Sequence, residues 1–138
     1  MPYAFDRAVR FDEVDAALML YYPRFLGYCH EAMEAMFAEL EGGYPRLIKA
    51  RRFGLPAVHI EVDFKSPLRY GDVVRIELAV VKTGTTSITV RYALSRKDDG
   101  RAIAIVQQVC VATDLDAMKA VPIPADVMAL LDRYRSPA

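Results

Sequence analysis

The spacing of apolar residues changes period along the chain, and that change separates a helical part from a strand-forming part. From Tyr22 to Leu40, the residues Tyr22, Phe25, Leu26, Cys29, Met33, Met36, Phe37 and Leu40 recur mainly at steps of three and four. This is the stripe of an amphipathic helix. Pro23 suits its first turn and Gly42-Gly43 its end. Ala32 and Ala35 widen the stripe, so the helix is expected to be buried on more than one side.

Further along, the period drops to two. Val58, Ile60, Val62 and Phe64 alternate with His59, Glu61, Asp63 and Lys65, which predicts a half-buried strand. Val74, Ile76, Leu78 and Val80 repeat the pattern, as do Ile88, Val90, Tyr92 and Leu94. The segment Arg101 to Thr113 is apolar on both faces and predicts a central strand. Leu68-Arg69-Tyr70-Gly71, Thr83-Gly84-Thr85 and Asp98-Asp99-Gly100 are turn sequences, short enough to require antiparallel neighbours. Tyr3 to Phe11 adds a strand at the start and Ile123 to Tyr134 a short amphipathic helix at the end. The expected class is therefore α+β, in the order strand, long helix, four strands, small helix. One apolar helix and one long sheet pack most economically when the sheet curves around the helix.

Composition narrows the partners. The 138 residues contain no repeat or linker, so one domain over 1–138 is expected. Eighteen Lys plus Arg balance eighteen Asp plus Glu, which removes the net field that would attract nucleic acid or anionic lipid. The most apolar short run, Ala16 to Tyr22, has seven residues, against the ~20 that a membrane helix needs. A cytoplasmic protein is expected. Cys29 and Cys110 are too few for a disulfide framework, and no metal-ligand spacing of Cys or His occurs, so both cysteines read as buried small hydrophobes.

Candidate chemistry lies between the first strand and the helix, in Phe11-Asp12-Glu13-Val14-Asp15-Ala16-Ala17-Leu18-Met19-Leu20-Tyr21-Tyr22-Pro23. Asp12, Glu13 and Asp15 read first as solvated acids that cap turns or favour the helix dipole. Asp15 differs by opening the apolar stretch, where a carboxylate would lose solvent and gain basicity. The unpaired N–H groups at the helix start, Tyr22 among them, suit a developing oxyanion. Met19, Leu20, Tyr21 and Tyr28 suggest an apolar pocket beside them.

Val9-Arg10-Phe11-Asp12-Glu13-Val14-Asp15 followed by Tyr21-Tyr22-Pro23-Arg24-Phe25-Leu26 resembles the N-terminal signature of the 4-hydroxybenzoyl-CoA thioesterase family of hot-dog fold acyl-CoA thioesterases. The likeness continues through Val58 to Phe64, Ser66 to Asp72 and Val121-Pro122-Ile123-Pro124, and so covers nearly the whole chain. It implies a helix wrapped by a curved antiparallel sheet, assembled as a homodimer or a tetramer of paired dimers with active sites at subunit interfaces. It also implies hydrolysis of an acyl-CoA or acyl-carrier thioester, with coenzyme A present only as part of the substrate and no other cofactor. The catalytic carboxylate falls on Asp15, acting as nucleophile or general base, and the helix-start N–H on Tyr22.

Several positions depart from the family pattern. Leu18 stands where many members have Gly, and His30, with Glu31 beside it, where an acid is usual. The hairpin that often carries several basic residues for nucleotide phosphates reads Lys82-Thr83-Gly84-Thr85-Thr86-Ser87 here, with Lys82 its one basic residue. Lys119 occupies the basic position before the final Pro-rich turn and is the stronger phosphate candidate. His59 lies on the polar face of its strand, read as a cross-strand partner first and as an interface-site residue second. Two alternatives to hydrolysis stand beside this reading. One is a hot-dog enoyl hydratase or dehydratase recruiting His30 or His59, and the other is a non-catalytic acyl-CoA-binding protein.

Overall fold

The apolar helix and the alternating strands meet in one core. In the computed structural model, which describes residues 1–136, β1 (Tyr3–Ala8) leads into a 3-10 turn (Phe11–Glu13), then α1 (Arg24–Phe37) and α2 (Gly43–Lys49). There follow β2 (Phe53–Gly54), β3 (Ala57–Phe64), β4 (Val73–Thr83), β5 (Ser87–Arg96) and β6 (Ala102–Val111). β7 (Thr113–Asp114), β8 (Lys119–Ala120) and α3 (Ala125–Arg133) close the order. The main sheet is antiparallel, with strand order β1-β4-β5-β6-β3, and β2, β7 and β8 form a small second sheet. Among the described residues, no helix is long and apolar enough to cross a membrane.

The period-2 pattern explains which face is buried. Val74, Ile76, Leu78 and Val80 of β4 and Ile88, Val90, Tyr92 and Leu94 of β5 are all buried, as are Ala104, Val106 and Cys110 of β6. Against them α1 buries Phe25, Tyr28, Cys29, Ala32, Met33, Met36 and Phe37. Each large side chain so enclosed contributes roughly 1.5–3 kcal/mol. α3 adds Val127, Leu130 and Leu131 to the core, and its C-terminal end is tied to β4 by the Val80 N–H donating to the Tyr134 carbonyl at 2.9 Å.

Four features differ from the sequence expectation. β1 stops at Ala8, because the Arg10 N–H donates to the Glu13 carboxylate at 3.0 Å and winds the chain into the 3-10 turn. α1 begins at Arg24 and ends at Phe37, and α2, which has no long periodic stripe of its own, forms immediately beyond. It is held by burial of Tyr44 and Leu47 and by Tyr44 stacking on Phe37 at 5.2 Å. The short pairings of β2, β7 and β8 are too brief to show a period. Finally, β3 is not half-buried: Val58, Ile60 and Phe64 are 62%, 40% and 54% exposed. β3 is an edge strand, and its alternating face is only partly covered, with Val62 packed against the core and Phe64 meeting Phe25 of α1.

The junction between α1 and α2 depends on Gly42, whose φ of 76° is left-handed. A Cβ there would meet the Arg46 side chain at 2.6 Å. Gly42→Ala should therefore cost about 1–2 kcal/mol in urea unfolding, with the native fold retained by circular dichroism.

Candidate active site

The loop joining the 3-10 turn to α1 folds back on itself as a narrow hairpin. Val14 bridges Leu20, the Asp15 N–H donates to the Met19 carbonyl at 2.8 Å, and the Tyr21 N–H donates to the Glu13 carbonyl at 3.1 Å. The Leu20 N–H donates to the Leu68 carbonyl at 2.7 Å and the Tyr70 N–H to that of Leu18 at 3.2 Å, anchoring the hairpin to the turn before β4. Asp15 sits near its tip. Its Oδ1 accepts the Ala17 and Met19 N–H groups at 2.9 and 3.3 Å, an Asx-type arrangement that fixes the carboxylate to its own loop. The expected loss of solvent is not met in the chain, where Asp15 is exposed. The exposed Val58, Ile60 and Phe64 leave this face of β3 partly open.

The hairpin delivers the chain directly into α1. Arg24 and Phe25 donate their N–H groups to the Tyr21 and Tyr22 carbonyls at 2.9 and 3.3 Å. The N–H of Tyr22 has no protein acceptor among the described residues. It is a free donor at the positive end of a 14-residue helix. Tyr22 also lines a cavity of about 300 Å³ with Met19, Leu20, Phe25 and Phe64, where the Phe25 and Phe64 rings meet edge to face at 5.2 Å. Met19 and Leu20 thus face the pocket the sequence suggested, whereas Tyr21 packs edge-on against Tyr22 and Tyr28 is buried elsewhere.

Behind the hairpin lies a buried ionic cluster that sequence reading missed. The Arg7 guanidinium donates to both Glu13 carboxylate oxygens at 3.0 and 2.6 Å, to Glu31 at 2.8 and 3.3 Å, and to the Ala8 carbonyl at 2.6 Å. It lies over the Tyr28 ring at 4.4 Å, and the Tyr28 hydroxyl donates to Glu13 at 2.7 Å. Burial alone would raise the Glu13 carboxyl, but hydrogen bonds from Arg7, Tyr28 and the Arg10 N–H outweigh it and hold the group at about 2. Burial, and then the Glu13 carboxylate, push the Tyr28 hydroxyl upward. A sequence signal did exist: Tyr3, Phe5, Arg7 and Val9 share one alternating face of the first strand, so Arg7 points with apolar residues and demands an anion.

The remaining candidates do not join Asp15 within the chain. Lys82 is exposed near the end of β4, Ser87 is half-buried at the start of β5, and Lys119 is exposed on β8. Ser87 pairs with Val111, and the Ala112 N–H donates to the Thr86 carbonyl at 2.7 Å, so this group gathers at one end of the sheet. Asp15 belongs to the other end, roughly 30 Å away at about 3.4 Å per strand residue. His59 lies beside Glu61 at 2.9 Å on the sheet face away from α1, and His30 lies 3.8 Å from Glu34 on the helix surface. Neither lines the pocket at the helix start.

Residues 9–131 match the thioesterase-like superfamily. The chain is 29% identical over 138 residues to the 1,4-dihydroxy-2-naphthoyl-CoA hydrolase of Nostoc punctiforme, spanning all of this chain and 92% of that one. It is 35% identical over 116 residues to the hydrolase of the same name in Synechococcus elongatus, covering 79% of this chain and 81% of the relative. The crystal structure of the Synechocystis 1,4-dihydroxy-2-naphthoyl-CoA thioesterase superposes with a TM-score of 0.89 at 25% identity, over 99% and 100% of the two chains.

Two measurements test the geometry of this region. Leu18 adopts a left-handed φ of 62° although it has a side chain. Leu18→Gly should stabilise the fold by about 0.5–1 kcal/mol in thermal melts. For Glu13, the folded-state pKa of about 2 lies below its ordinary 4.5, so its contribution is complete above pH 4.5 and lost as pH falls toward 2. Unfolding free energy should fall over that window by on the order of 1–3 kcal/mol. In Glu13→Gln that part of the pH profile should flatten.

Proposed function

Since the chain belongs to the thioesterase-like superfamily and is an acyl-CoA thioester hydrolase of hot-dog fold, we propose that Asp15 and the Tyr22 N–H are its catalytic groups. The observation that carries this reading is the hairpin. Met19, whose carbonyl accepts the Asp15 N–H, and Tyr22, which offers a free N–H, line one apolar pocket. Asp15 itself sits near the hairpin tip, next to the lining residue Met19 rather than in the lining, and in this reading the thioester carbonyl lodges between its carboxylate and the positive helix end. Asp15 attacks the carbonyl carbon, or removes a proton from the water that does, and the carbonyl oxygen becomes an oxyanion held by the Tyr22 N–H. Collapse expels the thiolate, which takes up a proton; where Asp15 is the nucleophile this leaves a mixed anhydride between Asp15 and the acyl group, which water then hydrolyses, and by either route the products are free acid and free thiol. Because a thiolate is a good leaving group, no triad or metal is required by this chemistry.

The acyl group is aromatic in this reading. The relatives act on a dihydroxynaphthoyl thioester by name, and the Phe25–Phe64 pair with Tyr22 offers edges and faces to a flat ring. The carrier is coenzyme A, whose phosphates fall to Lys82 and Lys119 beside Ser87. Those residues lie at the wrong end of the sheet for Asp15 of their own chain, so the working unit is a homodimer. β3 supplies the contact: it is an edge strand with exposed Val58, Ile60 and Phe64. Antiparallel pairing of two β3 strands about a two-fold axis brings Lys82, Ser87 and Lys119 of one copy toward Asp15 of the other. His59, on the same strand, falls at this joint.

Asp15→Asn should lower thiol release from aromatic acyl-CoA by at least a thousandfold with the fold and dimer intact. An undiminished rate refutes the assignment. Single-turnover hydrolysis in ¹⁸O-water identifies the nucleophilic route if the label appears in Asp15, because water that opens the anhydride at the Asp15 carboxyl carbon leaves its oxygen there, whereas general-base catalysis never labels the aspartate. Ile60→Glu should shift the protein to monomers in sedimentation velocity and abolish turnover.

A further inference from the structure

Catalysis by this site requires that the hairpin carrying Asp15 and the start of α1 keep a fixed relation, since a misplacement of about 1 Å at a reacting centre costs on the order of a hundredfold in rate. Backbone hydrogen bonds within the hairpin do not supply that relation alone. The loop between Asp15 and Met19 is exposed over most of its length, and its one left-handed residue, Leu18, is not a glycine.

What ties the parts together is the Glu13 carboxylate. Glu13 is 5% exposed. Its Oε1 accepts from Arg7, the Arg10 N–H and the Tyr28 hydroxyl, and its Oε2 from Arg7. Arg7 stands on β1, Arg10 just before the 3-10 turn, and Tyr28 on the second turn of α1. Arg7 also reaches Glu31 one helical turn beyond Tyr28, so the guanidinium uses every N–H it has. The Glu13 carbonyl, meanwhile, accepts the Tyr21 N–H, the last hairpin bond before Tyr22. One residue therefore holds the base of the hairpin through its backbone and both the sheet and α1 through its side chain.

We propose that Glu13 is a positioning residue for the hydrolase, clamped by Arg7 and Tyr28 so that Asp15 and the Tyr22 N–H face one thioester carbonyl. The proposal rests on the reading of Asp15 and Tyr22 given above. Glu13 does not touch the substrate: its carboxylate oxygens are enclosed by Arg7, Tyr28 and the Arg10 N–H, and it does not line the pocket at the helix start. A residue that only stabilises the fold would, when changed, lower the melting temperature and leave the turnover of the folded enzyme alone.

The test compares Glu13→Gln, Tyr28→Phe and the wild-type dimer by steady-state kinetics on an aromatic acyl-CoA and by peptide-resolved hydrogen–deuterium exchange. Glu13→Gln is expected to lower kcat ten- to a hundredfold, with KM changed less than threefold. Its exchange should quicken over residues 14–22 while β4, β5 and the centre of α1 stay protected. Tyr28→Phe removes one hydrogen bond and keeps the ion pair, so kcat should fall three- to tenfold. It decides the matter if Glu13→Gln does not fold. An unchanged kcat in the folded variants, whatever their melting temperatures, overturns the proposal, as does exchange that quickens evenly across the chain. Local quickening in a protein whose wild type releases no thiol would instead overturn the catalytic reading and leave the clamp standing.

Discussion

A single guanidinium on the apolar face of β1 constrains much of this architecture. Arg7 cannot be neutralised, and an unpaired charge at that depth would cost several kcal/mol. It is therefore enclosed by Glu13, Glu31, the Ala8 carbonyl and the Tyr28 ring. Meeting that demand pulls the chain out of β1 into the 3-10 turn and docks the first turns of α1 against it. The positions of the hairpin and of the helix start follow from how the charge is satisfied. Replacing the cluster by apolar residues could leave stability little changed. What such a core would lose is directional hydrogen bonding among three elements.

The hairpin shows the reverse economy. Asp15 is fixed by two N–H groups of its own loop, and Leu18 accepts a backbone conformation that favours glycine. Strain of this kind, usually 1–3 kcal/mol, survives only where the surroundings over-determine the chain. Here they do, through Leu20 bound to Leu68 and Tyr70 bound to Leu18. The same anchoring leaves the side chain of Leu18 exposed beside Asp15, at a mouth that also exposes Phe11, Tyr22 and Tyr70.

That mouth and the face of β3 with Val58, Ile60 and Phe64 hold most of the exposed large apolar side chains among the described residues. A β-sheet edge with open backbone groups and exposed Val58, Ile60 and Phe64 invites pairing. In the proposed dimer one contact answers both needs, covering the edge and bringing the basic end of one sheet to the acidic hairpin of another. The distance between those ends within a chain is a consequence of long strands such as β4, with 11 residues.

The fold was legible because its signals are local. Alternation in β4 and β5 and the three-four spacing of α1 each report a buried face directly, and Asp15 with Tyr22 could be singled out from a short motif. α2, of seven residues, and the two-residue strands escaped because elements so short have no period to read; α2 is held by tertiary contacts such as Tyr44 on Phe37. The alternating pattern of β3 located the strand but not its surroundings, since an apolar face signals burial against something without saying whether it lies in the same chain. Glu13 read as a solvated acid because the cation that buries it is six residues back on a strand and the hydroxyl that completes it fifteen residues on along a helix. Sequence by itself determined periodicity, hence elements, core and the acid at the turn. Only the packed structure decided which charges meet, because pairing depends on distances through space that no spacing along the chain records.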